Sequence, residues 1–445
     1  MSMMSAIKTI LKKPASQRFG EAKQARQVQP LHGRLASMVD LPIFRYPTAK
    51  TKWPTLKIGS DCTGLNAAAV ALENLCVPFD EVFASDSDPH VRSVIKSNFP
   101  KLEHQLFDNI MTRPISRKKL DLYTAGFPCQ SFSNQGYQQG MNCANGQVSL
   151  HVMNYLIEAK PTSFILENVA ALVQPQHKQD FDTIMGVLTT IPGSSGQPFY
   201  RVVYHIVDPT DVGMPQSRRR LFIVGVARDK ERKTKRFMFP GEKAFQLMPL
   251  SEVLDSDQSH PPELPQTNHE QKMFVQSFQK IYDLGGSPRD DWIVDLSGQS
   301  VSAMVGKCPC LTRSHCGNAG YCSTKRGRKL RLGEMMRLQG FDPTRLVYPQ
   351  VSERQVRLMV GNAFCVPVVA AIIDRILFAT GKTTQPLTFV YGKKSTDVPG
   401  STWSPQVQPR RMGGKQAKPQ SKPMKTKKPA TDAYRLKKVI RKPKS

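Results

Sequence analysis

Leu120-Asp121-Leu122-Tyr123-Thr124-Ala125-Gly126-Phe127-Pro128-Cys129-Gln130-Ser131-Phe132-Ser133 is the stretch on which the fold turns. Its first six residues predict a short buried strand. Gly126 and Pro128 break that strand. Cys129 thus stands just past a strand end, on a Gly/Pro turn, where an α/β sheet presents a nucleophile at its carboxyl edge. A free cysteine is more often a small core residue, so the rest of the chain has to decide between the two readings.

On either side of this stretch, strands and helices alternate. Leu56 to Gly59 predicts a strand and Gly64 to Leu75 a helix, with Leu65, Ala68, Ala69, Leu72 and Leu75 on one face. Val82-Phe83-Ala84 is a second strand, and Pro89 to Phe99 a second helix. Ser163 to Leu166 and Leu221 to Val226 are further strands. This alternation predicts an α/β fold with a doubly wound, mostly parallel, Rossmann-like sheet. Residues 229–328 break the rhythm, are rich in Pro, Gly and Ser, and read as an inserted, smaller, irregular domain. The catalytic domain is then split into 55–228 and 329–381.

The flanks differ in kind. Residues 1–54 and 382–445 are basic, with Lys425-Thr426-Lys427-Lys428 and Arg435-Leu436-Lys437-Lys438 the densest clusters. Such composition buries no core and predicts disordered tails that tether nucleic acid or carry a nuclear localisation signal. Hydrophobic content of 39% fits an ordinary core diluted by polar tails. The net charge of +28 points to a polyanionic partner. Nine cysteines without an even framework read as reduced thiols of an intracellular protein. The apolar run from Ala363 to Ile373 is too short for a membrane span.

Gly126-Phe127-Pro128-Cys129-Gln130-Ser131 resembles the nucleophile motif of the DNA (cytosine-5) methyltransferase family, and further segments resemble that family in its own order. Ser60-Asp61-Cys62-Thr63-Gly64-Leu65-Asn66 stands where the family has its Phe-x-Gly-x-Gly cofactor turn, with Cys62 and Asn66 as departures. Asp86 matches the acidic residue that accepts the ribose hydroxyls. In Phe107-Asp108-Asn109-Ile110, matching on the isoleucine gives Asn109 as the adenine contact, and one slip gives Asp108. Glu167-Asn168-Val169 and Gln216-Ser217-Arg218-Arg219-Arg220 match the catalytic carboxylate and the paired arginines. Arg337-Leu338-Gln339-Gly340-Phe341 and Gly361-Asn362 close the series, with Phe364-Cys365 reading as a two-residue insertion.

The resemblance implies S-adenosyl-L-methionine as cofactor, bound through Asp61, Cys62, Gly64, Asp86, Asn109 and Asn362. It implies Cys129 as nucleophile, Glu167 as acid at ring nitrogen 3, Arg220 on cytosine oxygen 2, and Arg218 on the active-site loop or a phosphate. Double-stranded DNA would be the partner, with the target base flipped out, Gln135 entering the gap and the insert reading flanking bases. A tRNA methyltransferase of the same fold and a silent DNA-binding homologue are the alternatives; Phe127-Pro128-Cys129 and the intact motif residues speak against them. The expected compartment is the nucleus in a eukaryote and the cytoplasm in a bacterium. Cys308, Cys310, Cys316 and Cys322 with His315 invite a zinc reading, but Cys-x-Cys is not the paired Cys-x-x-Cys of zinc modules, so no metal is expected.

Overall fold

The computed structural model describes residues 54–384, except 117, 128–143, 195, 242–244 and 257–264. Apart from residues 54 and 382–384, both basic tails lie outside the described residues. The first half builds β1 (Leu56–Asp61), α1 (Ala67–Asn74), β2 (Phe79–Ser85), α2 (Pro89–Asn98), β3 (Leu106–Phe107), β4 (Leu122–Ala125), α3 (Ala144–Ala159), β5 (Ser163–Val169), α4 (Lys178–Thr190), β6 (Tyr200–Val207) and β7 (Arg220–Ala227). The second half adds α5 (Asn268–Asp283), β8 (Trp292–Asp295), β9 (Ser302–Val305), α6 (Arg313–Gly317), β10 (Tyr321–Ser323), β11 (Arg328–Lys329), α7 (Leu332–Leu338), α8 (Glu353–Asn362) and α9 (Val366–Ala379).

The main sheet has the order β3-β2-β1-β4-β5-β7-β6. Every pairing is parallel except those of β7, which runs antiparallel to both β5 and β6. The strands are apolar because both sheet faces are covered. One face is buried under α1, α2 and α9 through Ala69, Leu72, Val94, Val369 and Ile373. The other is buried under α3 and α4 through Val152, Leu156, Ile184 and Leu188. Strand order reverses between β1 and β4, and in such sheets the crevice at the carboxyl ends of those two strands receives the ligand. The turn after β1 and the segment leading to Cys129 both leave the sheet there.

The insert has more regular structure than its composition suggests. It holds a four-stranded antiparallel sheet, β11-β10-β8-β9, and the 16-residue helix α5. Thr267 and Glu270 close a capping box at the start of α5, each satisfying the other's backbone N–H. The insert shares its core with the catalytic layer: Ile293, Cys308, Leu311 and Tyr321 pack into the cluster that holds α7, α8 and α9. Arg328 and Glu334, both buried, pair at 2.8 and 2.9 Å and fasten β11 to α7. Among the described residues no single helix is long and apolar enough to cross a membrane; α8 and α9 reach that length only as a pair bent by 41°, and α9 is core.

Candidate active site

The turn after β1 is bent by left-handed residues at alternate positions: Cys62 at φ 51°, Gly64 at φ 56° and Asn66 at φ 55°. Glycine takes this conformation without steric cost, and asparagine takes it more readily than other side chains. Asn66 is also held there: its amide donates to Glu81 Oε2 at 2.8 Å, and Ser60 Oγ donates to the other oxygen at 3.2 Å. Replacement of the expected glycine by Asn66 therefore keeps the turn and ties it to β2. Burial pushes the Glu81 carboxyl up to about 7, with the Asn66 and Ser60 hydrogen bonds opposing. Burial, with Asp61 and Asp86 nearby, likewise pushes the Cys62 thiol far up, so it stays protonated.

Asp86, just past β2, accepts from Gly64 N at 2.9 Å on one oxygen and from Asp88 N at 3.0 Å on the other. Each oxygen keeps a lone pair, enough to accept two hydroxyls. Asp88 is the N-cap of α2, accepting from His90 N at 2.9 Å ahead of Pro89, which leaves Asp86 free for another role. Asp86 N donates to Phe107 O at 3.0 Å, so Asp108 and Asn109 emerge beside it. Asp108 is exposed and Asn109 half-buried, its Oδ1 accepting from Met111 N at 2.9 Å.

Asp61 requires a correction. Its side chain is buried and its oxygens are fully engaged by protein groups. It accepts from Arg113 at 3.0 and 2.7 Å, from Tyr123 Oη at 2.8 Å and from Ser85 Oγ at 2.5 Å. The Arg113 guanidinium is stacked 3.9 Å from the Phe83 ring centroid and 4.8 Å from that of Tyr155. Asp61 is the footing of the turn after β1. Arg113 is a residue the sequence reading missed, since nothing near it in the chain marks it.

At the neighbouring strand end, Glu167 follows directly on the Ala125–Leu166 pair of β4 and β5. Its Oε1 lies 3.2 Å from Arg220 Nε, with both side chains largely buried. Burial raises the Glu167 carboxyl above its ordinary value, while Arg220 and Arg218 pull it back. Asn168, also missed, donates to Phe127 O at 3.4 Å and so ties the Glu167 strand to the root of the Cys129 segment. Cys129 and Gln135 themselves lie outside the described residues. A carboxyl raised by burial, with an arginine against it at a strand end of the main sheet, is an arrangement suited to proton transfer.

A family profile described as C-5 cytosine-specific DNA methylase matches residues 56–377, nearly three quarters of the chain. The chain belongs to this methylase family. It is 28% identical over 293 residues to Type II methyltransferase M.NgoBI of Neisseria gonorrhoeae, covering 65% of this chain and 84% of that one. It is 29% identical over 306 residues to Type II methyltransferase M.HaeII of Haemophilus aegyptius, covering 69% and 88%. The solved structure of Spodoptera frugiperda DNMT2 shares the fold, with a TM-score of 0.51 at 15% identity over 73% of this chain and 100% of that one.

In this methylase Arg218 also requires a correction. It is buried, and backbone carbonyls take up its guanidinium. Its guanidinium donates to Leu311 O, to Gly361 O at 3.1 Å and to Ala363 O at 3.0 Å, closing the carboxyl end of α8 onto the insert. Cys310 brings a thiol 3.8 Å from Arg220 and 4.0 Å from Arg218, a neighbour to which the sequence reading gives no role. Asn362, the last residue of α8, is exposed at this same edge. Of the Phe364-Cys365 pair, Phe364 lies against Gly126, whose absent Cβ would meet its ring at 2.5 Å, and buried Cys365 is the N-cap of α9.

Proposed function

We propose that this methylase transfers a methyl group from S-adenosyl-L-methionine to carbon 5 of cytosine in double-stranded DNA, through a covalent adduct with Cys129. The observation that carries the reading is the Glu167–Arg220 pair, bonded through Asn168 to the root of the Cys129 segment.

The residues of the cofactor turn fit an adenosyl ligand. The left-handed turn at Cys62, Gly64 and Asn66 keeps side chains clear of the crevice, and a Cβ at Gly64 would meet only open space. Asp86 offers its spare lone pairs to ribose hydroxyls, Asn109 or Asp108 stands beside it for the adenine amino group, and Asn362 closes the far side. When bound, S-adenosylmethionine supplies the methyl group as an electrophilic carbon on a sulfonium.

The chain's own residues do the rest. Cys129 adds as thiolate to carbon 6, forming the sulfur–carbon bond and moving the ring's electron pair towards nitrogen 3 and carbon 5. Glu167 meets the charge developing at nitrogen 3 by donating its proton or a hydrogen bond, a role suited to a carboxyl raised by burial. Arg220 holds oxygen 2 and keeps Glu167 in register. Carbon 5, once methylated, gives its proton to water; the sulfur–carbon bond breaks with Cys129 leaving as thiolate, and Glu167 takes back the proton from nitrogen 3 as the aromatic ring is restored. The base has to leave the duplex to reach this edge; Gln135 is assigned to the vacated gap and the insert to the flanking bases.

The test is transfer of labelled methyl from S-adenosylmethionine to duplex DNA and to bulk tRNA in parallel, with Cys129→Ala as control. Label on DNA that disappears with Cys129→Ala is the expected result. Label on tRNA alone, or normal turnover by Cys129→Ala, overturns it. The bacterial relatives give the nuclear expectation no support.

A further inference from the structure

The catalytic groups occupy the carboxyl ends of the parallel strands, and a basic surface occupies the opposite edge. Backbone hydrogen bonds place its parts side by side. Asp121 N donates to Lys57 O, Thr162 N to Leu120 O, Ala227 N to Thr162 O and Arg228 N to Phe199 O. Lys119 and Lys160 therefore stand beside Lys57 at the starts of β4 and β5, and the stretch after β7 continues the row. That stretch, residues 228–236, packs six basic and two acidic side chains into nine residues. Lys57, Lys119, Lys230, Lys233 and Arg236 are exposed. The acidic neighbours are partly spent: Asp121 pairs with Lys382 at 3.0 Å, and Glu231 with Arg201.

Charge is concentrated at this edge. Residues 54–384 together carry only +6 of the chain's +28, so a +4 cluster in nine residues is a strong local excess. The remaining +22 sits in the flanking sequence. The described chain both enters and leaves here: Leu56 opens β1, and Thr384 O accepts from Lys235 Nζ at 2.7 Å. Both lysine-rich flanks are thus covalently attached at the basic edge and not at the catalytic one.

From β1 to β7 there are three interstrand gaps, roughly 15 Å in all. At one phosphate per 3.4 Å of a strand, such a row faces about four phosphates. Glu167 lies four residues along β5 from Ser163 and Arg220 eight along β7 from Arg228, so about 13–26 Å of sheet separates the two edges. A duplex seated at the catalytic crevice does not contact both.

We infer that the edge formed by Lys57, Lys119 and residues 228–236 is a second DNA-binding surface, which holds a separate duplex segment through its phosphates. The inference concerns binding alone and stands whether or not the catalytic reading does.

The test uses the full chain and two 20-bp duplexes made only of A·T pairs, one biotinylated on beads and one fluorescent. Capture of the fluorescent duplex requires a protein that holds both. The wild type should capture it, with capture falling roughly 100-fold between 50 and 200 mM salt for about four phosphates. The variant Lys119→Glu, Lys230→Glu, Lys233→Glu, Arg236→Glu should lose at least ten-fold in capture while binding a single duplex within about three-fold. A parallel variant with Gln at the same four positions should lose several-fold, which keeps the test valid if charge reversal impairs folding. Equal capture by wild type and both variants overturns the inference and gives bridging to the flanks or to self-association. Displacement of the fluorescent duplex by tRNA at lower concentration than by DNA overturns the assignment to DNA in favour of RNA. Absence of methyl transfer by the wild type would count against Cys129 chemistry and leave the capture result untouched.

Discussion

Replacing Glu81 by Gln is expected to make the methylase more stable at alkaline pH and to leave it nearly unchanged in acid. Glu81 is buried, and its two oxygens face Asn66 Nδ2 and Ser60 Oγ. An amide reproduces the protonated carboxyl there, with one acceptor for Asn66 and a donor for the Ser60 hydroxyl, so the substitution itself costs little. The carboxyl is raised from 4.5 to about 7. Below 4.5 both the folded and unfolded chains hold the proton and nothing differs. Between 4.5 and 7 the unfolded chain releases it while the folded chain keeps it, so stability falls as pH rises. Above 7 the folded chain holds a buried carboxylate at a cost of roughly 3 kcal/mol. Urea unfolding of wild type and Glu81→Gln at pH 5, 6, 7 and 8 measures this directly. The stability difference should swing by about 2–3 kcal/mol in favour of the variant between pH 5 and 8. Parallel curves across that range would refute the reasoning, because they would mean that Glu81 is ionised throughout or never.

Other substitutions probe the geometry of the site. Arg218→Met leaves the Leu311 and Gly361 carbonyls without their donor and Ala363 O with only Gln339 Nε2 at 3.3 Å, and should cost about 3 kcal/mol in thermal or urea unfolding, with methyl transfer lost in proportion to folded protein. Gly126→Ala drives a Cβ into the Phe364 ring and should cut methyl transfer at least ten-fold; adding Phe364→Leu should restore most of it, as measured on the double variant. Asn168→Ala should slow methyl transfer about ten-fold in kcat while moving stability by about 1 kcal/mol, since it loses one hydrogen bond that steadies the root of the Cys129 segment.

The strands buried on both faces were legible, because β1, β2, β4, β5 and β7 are apolar runs cut by turn residues. The half-exposed edge strand β6 was not, since Arg201, Tyr204 and His205 interrupt its pattern. Nor was the small sheet of the insert, whose strands of two to four residues are too short to show a period. At the site, residue type and position relative to a strand end single out Asp86, Glu167 and Arg220, and the fold sets each at or near the end of a strand of the main sheet. They do not show what holds Asp61 and Arg218, because those partners are remote: Arg113 is 52 residues from Asp61, and the carbonyls on Arg218 are 93 to 145 residues away. A guanidinium suits a phosphate and a helix end equally well, and only the fold chooses between them.

The packing of α9 against α1 has a consequence for how the chain matures. Ala68, Ala69, Leu72 and Leu75 of the cofactor-side helix are buried largely by a helix that ends at Ala379, some 300 residues later. A growing polypeptide therefore carries its first helix with an unsealed apolar face until almost the whole domain has been synthesised. Contacts this distant in sequence form late and slowly. Nascent chains halted before Val366 should be cleaved within the first 80 described residues by a protease that leaves the finished enzyme intact, and resistance in the halted chains would show that the first half seals itself.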